Sequence, residues 1–173
     1  MLKSRWVFKA KRNIAGETVK YNGRVVVKGF RQTLSLDFDT LSLSALVANI
    51  NEFCCVIALA AALGWRLYHA DVETAYLNAL LGEELYMEAP DGFSERGAGG
   101  AELWQLHRSL YGLRQSAFNW NATISEFFLE IGFVAASSSP SIFVRRRGSS
   151  ILVIVLYVDD LLLTGNSEKS YSS

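Results

Sequence analysis

Ile151-Leu152-Val153-Ile154-Val155-Leu156-Tyr157-Val158-Asp159-Asp160-Leu161-Leu162-Leu163-Thr164-Gly165 sets two adjacent acids between eight apolar or aromatic residues and three leucines. Burying both carboxylates unpaired in such a run would be costly. The stretch therefore reads as two strands that meet at the acids. Those acids stand either in a solvent-exposed hairpin turn, which Asp tolerates well, or against a cation.

A third acid ends another strand-like segment, Trp65-Arg66-Leu67-Tyr68-His69-Ala70-Asp71-Val72. If segments 65–72 and 151–158 are neighbours in one sheet, Asp71, Asp159 and Asp160 meet at one edge. Such a cluster repels itself unless a divalent metal neutralises it. Carboxylate ligation that is poor in His and Cys selects Mg²⁺ or Mn²⁺ over zinc. Two such ions ~3.5–4 Å apart suit in-line phosphoryl transfer.

Outward from these acids, residues 5–12 alternate as a strand, 13–17 supply turn chemistry, and 18–30 form a second β-rich run, which together predict a hairpin. Residues 51–63 have the length and the Ala/Leu content of a buried helix stopped by Gly64. Leu85-Tyr86-Met87-Glu88 reads as a short strand before a Pro90-Asp91-Gly92 turn, 97–100 as a surface loop, and 103–110 as extended chain. Ser116 is a candidate N-cap for a second helix that carries Trp120, Ile124, Phe127, Phe128 and Ile131 on its apolar face and ends at Gly132. Residues 141–146 and a turn at 147–150 complete the pattern, and 167–173 read as a frayed tail. The fold class expected is α+β, with an antiparallel sheet covered on one face by helices.

The 173 residues, half of them hydrophobic, suffice for one core-bearing domain. The most apolar windows, 53–65 and 151–158, fall short of the ~20 residues of a membrane span. Basic residues recurring through Arg12 argue against a secretory signal. Cys54 and Cys55 are adjacent in an apolar stretch and read as reduced core residues of an intracellular protein, in cytoplasm or nucleus. Net charge is zero, but residues 1–31 hold nine basic residues against Glu17 alone, a net +8, and the remainder balances at −8. That basic end is either a solvated hairpin or a polyanion-binding surface.

Tyr157-Val158-Asp159-Asp160, Asp71-Val72-Glu73-Thr74-Ala75-Tyr76-Leu77-Asn78 and Ser109-Leu110-Tyr111-Gly112-Leu113-Arg114-Gln115-Ser116 together resemble the reverse transcriptase domain of copia-type LTR retrotransposons. Trp6-Val7-Phe8-Lys9, Lys28-Gly29-Phe30 and Leu85-Tyr86-Met87-Glu88 extend the likeness in the same order over about residues 3–165. The resemblance implies a right-hand polymerase, with residues 1–40 and part of 80–110 as fingers and the remainder as palm. It implies catalytic acids Asp71, Asp159 and Asp160 holding two Mg²⁺ ions, with Mn²⁺ as substitute, and the Val72 carbonyl completing a coordination sphere. Tyr76 would close the sugar pocket. Gly112 and Arg114 would lie near the nascent base pair. Arg24, Lys28 and Lys11 would face the triphosphate or the template, and Lys9 and Arg12 would add to the nucleic-acid surface. Partners implied are an RNA or DNA template-primer, a dNTP and the rest of a retrotransposon polyprotein, with no membrane.

Several family positions differ. Asn22 and Gly23 stand where a basic residue and an alanine are usual, and Leu41-Ser42-Leu43-Ser44-Ala45-Leu46 lacks a usual proline and arginine. Glu73 replaces a basic residue, Ala117 a proline and Ser139 an acid. The family continues past its acidic hairpin into a primer-gripping turn, a helical thumb and RNase H, whereas this sequence ends eight residues after Gly165. The expectation is a chain truncated at both ends. It is either a polymerase fragment or an inactive transposon-derived one that retains at most nucleic-acid binding.

Overall fold

The computed structural model describes residues 1–33, 37, 48–93 and 102–166. The readings placed on 41–46, 97–100 and 167–173 lie outside the described residues. The chain divides into two compact units, one of Met1–Leu43 with Tyr76–Asn119 and one of Ser44–Ala75 with Trp120–Ser173. Among the described residues the architecture is α+β, mostly antiparallel sheet with two α-helices.

In the second unit, strands β3 (Arg66–Asp71), β6 (Val134–Ala136), β7 (Ser139–Arg147), β8 (Ser150–Tyr157) and β9 (Asp160–Gly165) form one antiparallel sheet in the order β3-β9-β8-β7-β6. β8 is central, and Leu152 to Leu156 are buried without a break. Alternation therefore needs cover on both faces. Val153 and Val155 pack with Ala48 and with Val56 of helix α1 (Ile50–Leu63). On the opposite face Ile154 pairs with Phe143, whose ring lies 5.0 Å from Phe128 of helix α2 (Ser116–Glu130). The helices thus take opposite faces, which corrects the expectation that they share one. The continuous apolar run of β8 is the physical reason.

α1 opens with a capping box: the Asn49 side chain accepts from the Asn51 and Glu52 N–H groups, while Glu52 reaches back to the Asn49 N–H. It closes on Gly64 at φ 65°. Only Val56 and Ala60 of this helix are buried, so it is not the buried helix its composition suggests. Cys54 and Cys55 are free and exposed, not core residues, because a narrow stripe of α1 meets the sheet. In α2, Ser116 is the first helical residue and its hydroxyl donates to the Leu110 carbonyl. It therefore does not act as the N-cap. Trp120, Ile124 and Phe128 form the buried stripe, while Phe127 is exposed.

In the first unit, β1 (Ser4–Arg12) and β2 (Thr18–Val27) form a hairpin, as do β4 (Leu80–Glu88) and β5 (Leu103–Arg108). Their core is Leu2, Val27, Leu85, Met87 and Leu113. Leu2 stitches onto β4, donating to Tyr86 O at 3.0 Å and accepting from Glu88 N at 2.9 Å. Among the described residues no helix is long and apolar enough to cross a membrane.

Candidate active site

The β8–β9 hairpin closes on the Tyr157–Asp160 pair and leaves Val158-Asp159 as a two-residue turn. Val158 has φ 54°, a positive value shared among described non-glycine residues only by Thr74. A β-branched residue there is strained by roughly 1–3 kcal/mol and persists only where its surroundings over-determine it. Two hydrogen bonds do so: the Trp120 indole Nε1–H donates to the Val158 carbonyl, and the Val72 N–H donates to the Asp159 carbonyl at 2.7 Å.

Asp71 and Asp160 are cross-strand partners, the last pair of β3 and β9. Like charges directly opposed in this way destabilise a sheet, so the corner favours a positive partner. His69, two residues before Asp71, shares its face, and His69 Nε2 lies 2.7 Å from Asp160 Oδ1. Both side chains are solvent-accessible, 64% and 45% respectively. A cavity of about 680 Å³ opens here between Asn49, Ile50 and Phe53 of the α1 start and His69, Tyr157 and Asp160 of the sheet.

The chemistry of the donor set, carboxylates with a nearby peptide carbonyl, fits Mg²⁺ or Mn²⁺. Among the described residues no three His, Cys, Asp or Glu side chains stand grouped as a ready-made cation site. Strand register thus brings the acids to one corner of the sheet without a preassembled ligand cage.

The other expected residues lie in the first unit. Arg24 places its guanidinium 5.0 Å from the Tyr111 ring centroid, and the Tyr76 ring lies 4.9 Å from the same ring. Tyr111 thereby joins two residues expected at a nucleotide. Its carbonyl accepts from Val27 N at 2.8 Å. Gly112, at φ 95°, comes so close to β2 that a Cβ would sit 2.1 Å from the Val27 carbonyl oxygen. Arg114 donates from its backbone to Gln32 Oε1 at 2.8 Å and from Nε to Gly29 O at 3.3 Å. Lys28 donates its backbone N–H to Lys3 O at 2.8 Å.

On the β1–β2 hairpin, Lys9 pairs with Asn22, Lys11 with Lys20, and Arg24 with Val7. Alternation sets Arg5, Lys9, Lys11, Lys20 and Arg24 on one face, and Trp6, Phe8 and Tyr21 on the other. Lys11 lies four positions along β1 from the partner of Arg24, roughly 13 Å at strand rise, so these two cations do not converge. Arg12 follows a register shift after Lys11.

Three contributors escaped the sequence reading. His69 was legible as the residue sharing Asp71's face at period two, and Tyr111 as the aromatic preceding Gly112. Trp120 read only as core, because an indole's hydrogen-bond partner 38 positions away leaves no local trace.

A family profile described as reverse transcriptase (RNA-dependent DNA polymerase) matches residues 1–172. The retrovirus-related Pol polyprotein from transposon TNT 1-94 of Nicotiana tabacum is 34% identical over 168 residues, covering 96% of this chain and 12% of that protein. The corresponding polyprotein from transposon RE1 of Arabidopsis thaliana is 36% identical over 163 residues, covering 94% of this chain and 11% of its own length. That from transposon RE2 of the same plant is 35% identical over 163 residues, with 94% and 11% covered. The chain therefore spans about an eighth or less of these relatives. No solved structure matches it.

Proposed function

Because the chain belongs to the reverse transcriptase (RNA-dependent DNA polymerase) family, we propose that it is the fingers and palm of an RNA-directed DNA polymerase from a copia-type retrotransposon polyprotein, transferring nucleotides from dNTP to a primer 3′-hydroxyl. The observation that carries this reading is the pairing of Asp71 with Asp160 beside the strained Val158-Asp159 turn.

In this reading Asp71, Asp159 and Asp160 hold two Mg²⁺ or Mn²⁺ ions, with the Val72 carbonyl as a further ligand. Bound cations supply activation of the attacking hydroxyl and charge stabilisation on the departing pyrophosphate. Tyr76 bears on the sugar and, with Arg24 braced on Tyr111, shapes the nucleotide pocket. Gly112 permits close backbone approach, and Arg114 adds a cation nearby. Lys28 and Lys11 serve the triphosphate or template as charge-assisted donors, and Lys9 and Arg12 serve the nucleic-acid backbone. Template-primer and the remainder of a Pol polyprotein are the partners.

The test is primer extension on an RNA template with Mg²⁺ or Mn²⁺, comparing the chain with Asp159→Asn. Extension that the substitution and a chelator both abolish supports the reading. A folded wild-type chain that binds template-primer without extending it supports the rival, an inert transposon-derived fragment. That rival draws on Asn22 and Glu73 standing where the family usually has basic residues.

A further inference from the structure

We infer that His69 is a positioning residue for Asp160, orienting that carboxylate for cation binding through its Nε2 contact to Oδ1. The inference rests on the polymerase reading and adds to it a residue that the acidic motif does not contain.

The contact is 2.7 Å long and joins β3 to β9 one step from the opposed Asp71–Asp160 pair. The His69 side chain is exposed and that of Asp160 about half so, and a pair this accessible contributes little to folding, so stability alone does not account for it. A carboxylate accepts only, so the contact is a hydrogen bond when Nε2 carries the proton, and it engages one of two oxygens. A donor of this kind behind a ligating carboxylate fixes its rotamer and its direction of approach, as outer-shell partners do in metal sites generally. The cavity wall formed by Phe53 and Tyr157, whose rings meet edge-on at 6.0 Å, adjoins the pair.

The experiment is Mn²⁺ binding by the 173-residue chain, read as loss of the free-ion electron paramagnetic resonance signal, for wild type, Asp71→Asn, His69→Ala and His69→Gln. Wild type is expected to bind Mn²⁺ in a manner that Asp71→Asn removes. His69→Ala is expected to weaken that binding about 10–100-fold, the usual cost of an outer-shell partner. Gln retains an N–H donor at a similar reach, so His69→Gln should return to within about threefold of wild type. Acid-dependent binding unchanged in His69→Ala overturns the role of His69 and leaves the polymerase reading standing. An equal loss in His69→Gln and His69→Ala overturns it too, since a retained donor then does not suffice. Absence of any Asp71-dependent binding overturns the metal reading itself, and this inference with it.

Discussion

The indole Nε1–H of Trp120 donates to the carbonyl of Val158, tying the buried face of α2 to the turn that carries Asp159. With the Val72 N–H on the next carbonyl, both peptide oxygens of the turn are held. The turn is thus a fixed platform for two acids rather than a loose loop end. Trp120→Phe keeps an aromatic ring and removes the donor. It should cost about 1–3 kcal/mol of stability, from an unsatisfied carbonyl and a smaller ring in a packed site, measured by urea unfolding. On the polymerase reading, kcat should fall more than the KM for dNTP rises.

Val158 stores the strain that these bonds impose. Val158→Gly relieves roughly 1–2 kcal/mol of left-handed clash and costs about 0.5–1 kcal/mol in unfolded-chain entropy. The net expectation lies between no change and a gain of about 1.5 kcal/mol, a rise in Tm of no more than about 6 °C for a chain of this size. A lower melting temperature for Val158→Gly would show that side-chain packing, not backbone strain, governs this position.

What the residues disclosed follows from the range of the interactions. The β1–β2 hairpin, the two helices and the acid-bearing ends of β3 and β9 are each written in a local pattern, period two or a stop residue. The meeting of the three acids at one edge was reachable because each follows an apolar run, but the neighbour expected for 65–72 was 151–158, whereas β3 pairs with β9 and β8 lies one strand further in. Opposite placement of the helices was not foreseen, although β8 carries apolar residues at successive positions that demand it. The exposure of Cys54 and Cys55 was hidden because α1 is apolar on all sides, so composition does not say which stripe is buried. The convergence of Arg24, Tyr76 and Tyr111 joins residues up to 87 positions apart, and no periodicity encodes that.

Gly29 and Gly112 lock the 3₁₀ turn after β2 to the 109–115 loop by backbone contact. A Cβ on Gly29 would meet the Gly112 carbonyl oxygen at 1.9 Å, and one on Gly112 the Val27 carbonyl oxygen at 2.1 Å. Neither neighbour is a flexible side chain, so Gly29→Ala and Gly112→Ala should each cost about 3 kcal/mol or more. Gly148→Ala, at φ 58° with nothing within 4 Å, should cost only the conformational strain of about 1–2 kcal/mol. Thermal unfolding of the three variants side by side separates close approach from backbone conformation.

Tyr111 holds Arg24 by its face and Tyr76 by its ring. The two contacts together are worth about 1–2 kcal/mol. On the polymerase reading, Tyr111→Leu should therefore raise the KM for dNTP about tenfold, while Tyr111→Phe, which keeps the ring, should leave it near wild type. Steady-state kinetics at saturating template-primer distinguishes the two, and an equal loss in both variants would place the hydroxyl rather than the ring in the pocket.

The cationic face of the β1–β2 hairpin gives the last expectation. Lys9 and Lys11 lie two positions apart on one strand and project to the same side, with both side chains exposed. If they contact phosphates, Lys9→Ala with Lys11→Ala should reduce the slope of log affinity against log salt by about 2 for a template-primer duplex. The loss should be uniform across sequences, because phosphate contacts carry no base information. Fluorescence anisotropy over a salt series reads it directly. An unchanged slope would assign the basic end of the chain to solvation.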